Sequence, residues 1–320
     1  MDEVFCGLSA LRHVRVPPAI KAAYPPVSLH GYGYGGAWSA EDPFIVDNIG
    51  FPLHLLAASR AGRTGARGIK WHLVSGDLPF GSIIEDEDLD VRTTSPLMTL
   101  FTLGSQISDA HLLMAMYEFC GRFALFRPAS HIEERLEREV PQPSLGAPGG
   151  WVCVCDVSGR PSDMWKRPPL IEVHELRQFA REVEHLRGGK RFARLVAKVA
   201  GVTASPFEVQ TSMLLGLSRA QGGEGLDGFS NNHEIRLTHG AQRIAGKGRV
   251  YADLYFEGAE GGPPLVIECQ GGMVHGGEAA VLSDADRTAA LQAMGIDVLA
   301  LTYKQIADRD NFNRIARLIA

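Results

Sequence analysis

The 320-residue sequence predicts a mixed α/β protein, in which helices and strands alternate most clearly toward the carboxyl end. Apolar residues make up 45% of the chain and charged residues 22%, which is ordinary globular composition. Segments with the 3.6-residue period of a helix lie beside short apolar runs of strand length, and glycine- and proline-rich turns separate them. No run approaches the ~18 apolar residues of a spanning helix, so we expect no contact with a membrane.

The first part of the chain predicts a smaller N-terminal α+β region over residues 1–145. Residues 1–95 are rich in glycine, proline and short apolar runs such as Pro43–Ile49, which favours short strands and turns. The stretch Leu97–Phe126 has apolar residues at the spacing of buried helices. A segment rich in proline and glycine, Pro141–Gly150, follows it and is typical of a linker.

Residues 146–202 predict a connector that contains a strand at Trp151–Val157 and one or two amphipathic helices over 171–200. The helical part carries seven basic side chains, namely Arg177, Arg181, Arg187, Lys190, Arg191, Arg194 and Lys198. A second basic segment is Asn231–Arg249. Such segments either follow the phosphates of a nucleic acid or form an ordinary solvated surface, and charge alone favours the surface.

Residues 203–320 give the clearest prediction, a unit with the element order α-β-β-α-β on a mixed sheet. Ser205, Pro206 and Glu208 form a capping box with proline at the first helical position, which starts the first helix. Two strands, a helix, a strand and a short C-terminal helix are then predicted at Arg249–Phe256, Leu265–Gln270, Glu278–Met294, Val298–Tyr303 and Ile306–Ile319, with a further strand considered near Ile235.

Acidic residues interrupt the two predicted strands where a core strand would carry valine or isoleucine. If the strands form a hairpin centred on Glu260–Gly261, Asp253 lies directly opposite Glu268, with Gln270 alongside. Directly opposed like charges destabilise a sheet, but a divalent cation between them removes the repulsion. The alternative is that one acid points outward and pairs with Arg249 or Lys304.

These residues resemble a known pattern. An acid in the first helix, an acid on a strand and Glu-x-Gln on the next strand are similar to the PD-(D/E)xK nucleases. The segment after Val266 resembles an uncharacterised family related to the very-short-patch-repair endonucleases, and the matching positions are Glu268, Gln270, Gly271, His275, Asp284 or Asp286, Arg287, Gly295 and Val298–Leu299. The resemblance covers roughly residues 203–305. Residues 90–125 are weakly similar to N-terminal parts of these proteins, some of which resemble abortive-infection antitoxin regulators.

The resemblance implies a restriction-endonuclease-like core and Mg²⁺- or Mn²⁺-dependent hydrolysis of phosphodiester bonds, as in a DNA endonuclease of DNA repair or phage defence. Asp253 and Glu268 would hold the metal, with the backbone carbonyl of Cys269 as a further ligand, and Glu208 would orient the metal or its water. Gln270 departs from the family, because a lysine there would supply positive charge beside the phosphate. The resemblance then requires His275 or Arg287 to assist catalysis.

Two alternatives from other classes stay open at this point. One is a catalytically inactive nuclease fold that acts as a nucleic-acid-binding regulator, and the other is a protein-interaction module of a defence system. The net charge of −5 excludes binding of nucleic acid through bulk charge. Five cysteines at low density favour reduced thiols, and the N-terminus has no apolar signal core, so we expect a cytoplasmic protein.

Overall fold

The protein is known from a computed structural model that describes residues 3–27, 42–57, 68–73, 77–139, 148–156, 158–258, 261–271 and 277–319. The predicted mixed α/β class is confirmed, because helices accompany three sheets in the described residues. The chain forms two compact units. We call residues 1–119, 123–154 and 163–199 the N-terminal unit, and residues 120–122, 155–162 and 200–320 the C-terminal unit. No helix in these described ranges is long and apolar enough to cross a bilayer.

The N-terminal unit begins with a five-stranded mixed sheet. Its first elements are β1 (Val4–Phe5), α1 (Gly7–Arg15), α2 (Pro18–Lys21), β2 (Leu53–Ala57), β3 (Ile69–Leu73), β4 (Ile83–Asp86) and β5 (Val91–Thr94). The strand order is β3-β2-β1-β5-β4, in which β1 is parallel to β5 and antiparallel to β2. Strand β3 is parallel to β2, and β4 is antiparallel to β5. The sequence predicts only strands and turns here, so helix α1 is a correction.

A second correction concerns Pro43–Ile49, which is helical and ends in a π-helical turn over Ile45–Ile49. The carboxylate of Asp42 accepts the backbone N–H of Ile45 at 3.0 Å, which starts the turn. Phe44, Ile45 and Ile49 are nevertheless buried in the core, as apolar residues of a strand would be. A short apolar run therefore reports burial here without distinguishing a strand from a helical turn.

The later elements of this part of the chain are α3 (Pro96–Leu103), α4 (Asp109–Cys120), β6 (Phe123–Leu125), α5 (Ser130–Glu139), β7 (Val152–Cys155), β8 (Pro161–Lys166), α6 (Val173–Glu182) and α7 (Gly189–Val196). The helix pair predicted after Ser95 is confirmed, and the Ser95 hydroxyl accepts the Met98 N–H at 3.4 Å at the start of α3. Strands β6, β8 and β7 form a small sheet in that order.

The segment predicted as a connector, residues 146–202, contributes its two helices to the N-terminal unit. Helices α6 and α7 carry Phe179 and Phe192, whose rings contact Phe101 of α3 edge to face at centroid distances of 6.5 and 5.6 Å. An amphipathic helix must bury its apolar stripe, and α3 supplies the partner surface. The N-terminal unit is consequently the larger of the two, where the sequence predicts a smaller region that ends at residue 145.

The C-terminal unit consists of a four-stranded sheet and its helices. In chain order these are α8 (Pro206–Gly216), β9 (Phe229–Arg236), α9 (His239–Ala245), β10 (Arg249–Phe256), β11 (Leu265–Gln270), α10 (Gly277–Gln292), β12 (Asp297–Thr302), α11 (Tyr303–Ala307) and α12 (Arg309–Ile319). The strand order is β12-β11-β10-β9, with β9, β10 and β11 antiparallel and β12 parallel to β11. The predicted bounds of β10 and β11 are confirmed, whereas the single predicted C-terminal helix is divided near Asp308.

This sheet is covered on both faces, and β10 changes face at Asp253. Leu254 packs with Phe207 of α8 in one apolar cluster, while Ala252 packs with Leu291 of α10 in the other. In a regular strand, residues two apart share a face, so the alternation is interrupted between them. Asn232, which lies across the ladder, has a φ of +50° and is absent from the paired positions. The irregularity turns the backbone at the one acidic position of the strand.

Candidate carboxylate site

Three carboxylates from three elements converge at the point where β10 and β11 separate: Glu208 of α8, Asp253 of β10 and Glu268 of β11. Leu254 pairs with Ile267 and Phe256 with Leu265, and the same register places Asp253 opposite Glu268. The predicted hairpin and its register are therefore confirmed. The Cys269 N–H of β11 donates to Asp253 Oδ2 at 2.7 Å, so at this position the two strands are joined by a side-chain carboxylate of β10.

Glu208 combines the role expected from the capping box with a place in this cluster. Its carboxylate accepts the Ala204 N–H at 2.7 Å and the Ser205 hydroxyl at 2.8 Å, and the Ser205 oxygen accepts the Glu208 N–H at 3.2 Å. Burial and then the negative charge of Asp253 raise the pKa of Glu208 to about 7. The capping hydrogen bonds lower this pKa but do not offset those two effects.

Glu268 is paired with Arg287 of α10. The Nη2 atom of Arg287 donates to Glu268 Oε1 at 2.5 Å and also to the backbone carbonyl of Tyr251. Burial and the charge of Asp253 nevertheless raise the pKa of Glu268 to about 8. Burial also raises the pKa of Asp253, against the hydrogen bond from Cys269 and the charge of Arg287. One guanidinium therefore does not balance the three carboxylates.

The donor chemistry of this cluster suits a hard divalent cation. Mg²⁺ is usually bound by one or two carboxylates and completes its shell with water and substrate oxygens, and a cation reverses the pKa shifts that crowded carboxylates produce. Across the described parts of the chain, no three or more His, Cys, Asp or Glu side chains are grouped closely enough to hold a metal by themselves. Asp253 and Glu268 supply two carboxylates to this cluster, and the neighbouring Cys269 carbonyl accepts the Gly271 N–H at 3.0 Å.

The remaining residues that the resemblance implies differ in their positions. Gln270 lies exposed at the end of β11, where it pairs with Thr302 of β12. His275 lies outside the described residues. Arg287 reaches the carboxylates from α10, so the positive charge beside the site comes from a helix rather than from position 270.

The basic helices of the N-terminal unit are engaged in structural contacts. Arg191 and Arg194 pair with Asp109 at 2.5 and 2.9 Å, and Arg191 also donates to the carbonyls of Gly104 and Ile107. Arg177 donates to the carbonyl of Val199 at 3.1 Å. These guanidiniums secure the ends of helices. In the C-terminal unit, Arg236 and Arg249 likewise pair with Glu234 at 3.7 and 3.3 Å.

A second polar cluster, which sequence reasoning missed, lies in the N-terminal unit. Asp86 Oδ2 is 2.9 Å from His13 Nε2 and 2.7 Å from Lys21 Nζ, and these residues line a cavity of about 380 Å³. His13 is 3% exposed, and burial lowers its pKa to about 4. Because the three residues come from α1, α2 and β4, no local motif signals the cluster.

We compared the chain with models of protein families, with curated proteins and with solved structures, and found no match in any of the three.

Proposed function

We propose that the C-terminal unit is a divalent-cation-dependent phosphodiesterase domain of the nuclease type, acting on DNA in repair or phage defence. The observation that carries the proposal is the convergence of Glu208, Asp253 and Glu268 in a half-buried place where one guanidinium does not balance their charge. Buried charges are normally paired or neutralised by protonation, and an excess of carboxylates supports the proposal that a cation takes the place of the protons. Raised carboxyl pKa values are also typical of functional sites.

Each residue has a role that its contacts support. Asp253 and Glu268, with the Cys269 carbonyl, would hold Mg²⁺ or Mn²⁺, which polarises a phosphoryl oxygen and acidifies bound water when present. Glu208 is close enough to Asp253 for their charges to interact, and its raised pKa suits a group that exchanges protons near neutral pH. Arg287, which pairs with Glu268, would supply positive charge beside the phosphate.

The element order is a further support. With β9 and α9 set aside, the order α8, β10, β11, α10, β12 is the α-β-β-α-β series that the resemblance implies. Strand β9 and helix α9 are inserted between α8 and β10, and β9 adds a strand at the edge next to β10. The two proposed ligand residues lie on neighbouring strands, and Glu208 lies in the first helix. The fold alone does not establish the chemistry, so the carboxylates carry the argument.

A second candidate, a nucleic-acid-binding regulator without catalysis, is favoured by two particular residues. Gln270 is neutral where the family has lysine, and the Glu268 carboxylate is already bound by Arg287. A site of this kind would bind phosphates without cleaving them. Its affinity would fall steeply with salt, because phosphate binding releases counterions.

The decisive experiment is a calorimetric titration of Mn²⁺ and of Mg²⁺ into the full chain and into Asp253→Asn. Asp297→Asn is the matched control, since Asp297 is exposed and pairs with Leu265 at the other end of β11 from Gln270. We expect binding in the wild type and the control and none in Asp253→Asn. Equal binding in all three would refute the proposed ligand set.

Cleavage assays then separate the two candidates. Single-stranded, double-stranded and mismatched DNA are incubated with the full chain and Mn²⁺, and Asp253→Asn provides the blank. Metal-dependent cleavage that the substitution abolishes supports the phosphodiesterase. Salt-dependent DNA binding without cleavage, in a protein that binds Mn²⁺, supports the regulator.

A further inference from the structure

Arg287 occupies the same carboxylate that the proposed cation needs. Its Nη2 atom shares its hydrogen bonds between Glu268 Oε1 and the Tyr251 carbonyl, and the Arg287 and Glu268 side chains are 26% and 15% exposed. The Nε atom of Arg287 is buried and has no hydrogen-bond partner among the described residues. The guanidinium is thus held mainly through one edge, on the carboxylate and one carbonyl.

A guanidinium and a divalent cation compete for this carboxylate, because each is attracted by the same single negative charge. Carboxylate oxygens that donate electron density to a metal are poorer acceptors for a second cation, and the two positive charges repel each other. The pair is also largely removed from water, so solvent screens this repulsion less than it would at the surface. Occupation of Glu268 by one cation therefore weakens its hold on the other.

We propose that Arg287 is a built-in competitor of the divalent cation, which pairs with the ionised Glu268 carboxylate in the cation-free protein and leaves it when the cation binds. This role rests on the proposed function, because it concerns the same carboxylates. It explains how Glu268 is accommodated in the cation-free fold although Asp253 lies beside it. It also means that Arg287 sets the cation concentration at which the site fills.

The charge of Arg287 is the property to test. Arg287→Gln removes the competing charge and keeps hydrogen-bond donors, whereas Arg287→Lys keeps the charge. Arg309→Gln is the matched control, because Arg309 pairs with Glu224 at 2.9 Å in the same unit. Calorimetric titration of Mn²⁺ into the full-length variants should give wild-type affinity for Arg309→Gln and affinity within a few-fold of wild type for Arg287→Lys.

For Arg287→Gln we expect Mn²⁺ affinity to rise by roughly tenfold or more, since a charge this close shifts proton affinity of a carboxylate by about one to three pKa units. Unchanged or weaker affinity in Arg287→Gln would overturn the competitor role while leaving the cation site intact. Lack of Mn²⁺ binding in the wild type and in every variant would refute the proposed function itself, and the competitor role with it. The two failures are therefore distinguishable.

A measurement on the wild-type protein covers the case in which Arg287→Gln does not fold. Phenylglyoxal modifies accessible guanidiniums, and mass spectrometry of the digested protein reports the rate at each arginine. Saturating Mn²⁺ should raise the modification rate of Arg287 several-fold and leave that of Arg309 unchanged. An unchanged Arg287 rate in protein that has bound Mn²⁺ would contradict the displacement.

Discussion

Replacing Asp253 by asparagine removes one charge from the carboxylate cluster while nearly preserving the shape of the side chain. The asparagine oxygen can still accept the Cys269 N–H that Asp253 accepts at 2.7 Å. The charge of Asp253 is one cause of the raised pKa of both Glu208 and Glu268. The substitution should therefore stabilise the metal-free C-terminal unit wherever these two glutamates are ionised.

The expected gain follows from these pKa shifts. A like charge at short range raises a carboxyl pKa by about one unit or more, and one pKa unit corresponds to about 1.4 kcal/mol. Shared between Glu208 and Glu268, this gives a gain of about 1–3 kcal/mol above pH 8, where both are ionised. Below the unperturbed glutamate pKa of 4.5, Glu208 and Glu268 are protonated in the folded and in the unfolded protein, so the substitution no longer increases the free energy of unfolding.

The two units must be observed separately in this assay. The four tryptophans are Trp38, Trp71, Trp151 and Trp165, so tryptophan fluorescence reports only on the N-terminal unit. Urea unfolding of the full chain is followed by fluorescence and by far-ultraviolet circular dichroism, at pH 8.5 and at pH 4.5 without metal. A later circular-dichroism transition in Asp253→Asn at pH 8.5, with an unchanged fluorescence transition, is the expected result. Destabilisation at both pH values would show that Asp253 is a structural residue and refute the reasoning.

Three further predictions follow from particular contacts. Gln270→Lys should raise the cleavage rate if the lack of a positive charge at position 270 limits catalysis. Initial rates on DNA with Mn²⁺ measure the effect, and an unchanged rate would mean that Arg287 already supplies that charge. The C-terminal unit should gain stability as the pH falls from about 8 to 4.5, because the Glu268 carboxyl group binds its proton more tightly in the folded state. The N-terminal unit should lose stability as the pH falls from 6.5 to about 4, because the buried His13 ring binds its proton more weakly in the folded state. Opposite pH slopes of the dichroism and fluorescence midpoints test this, and slopes of the same sign would contradict it. Phe192→Ala should lower the stability of the N-terminal unit by about 3–5 kcal/mol, since the Phe192 ring is 2% exposed and packs on Phe101. The urea transition followed by fluorescence measures this loss, and a loss below about 1 kcal/mol would contradict that packing.

Much of the C-terminal unit could be predicted from the sequence because its signals are local. The capping box at Ser205 works through hydrogen bonds within four residues, and α8 begins where the motif predicts. Strands β10 and β11 are short, largely apolar runs flanked by glycine and proline. The first and last residues of both strands agree with the prediction. The turn centre between them then sets the register, which is how the pairing of Asp253 with Glu268 follows from counting.

Other features were missed because their signals are weak or resemble those of another element. Helix α1 lacks a side-chain cap, and its N-terminal neighbour Cys6 gives no start signal. The apolar run before Gly50 is buried in a helical turn, and periodicity over so few residues does not separate a strand from a helix. The interruption of β10 depends on the left-handed conformation of Asn232 on another strand.

The amino-acid sequence by itself determined the start of α8, the strands of the C-terminal hairpin and the register that opposes two carboxylates, since all of these depend on residues near one another in the chain. Only the tertiary structure brought Arg287 to Glu268, packed Phe192 on Phe101 and joined His13 to Asp86. The physical reason is that a charged group or an apolar face can pair with any suitable group that the fold places beside it, however distant in the sequence. That choice is made by sheet order and burial, which no local pattern of residues encodes.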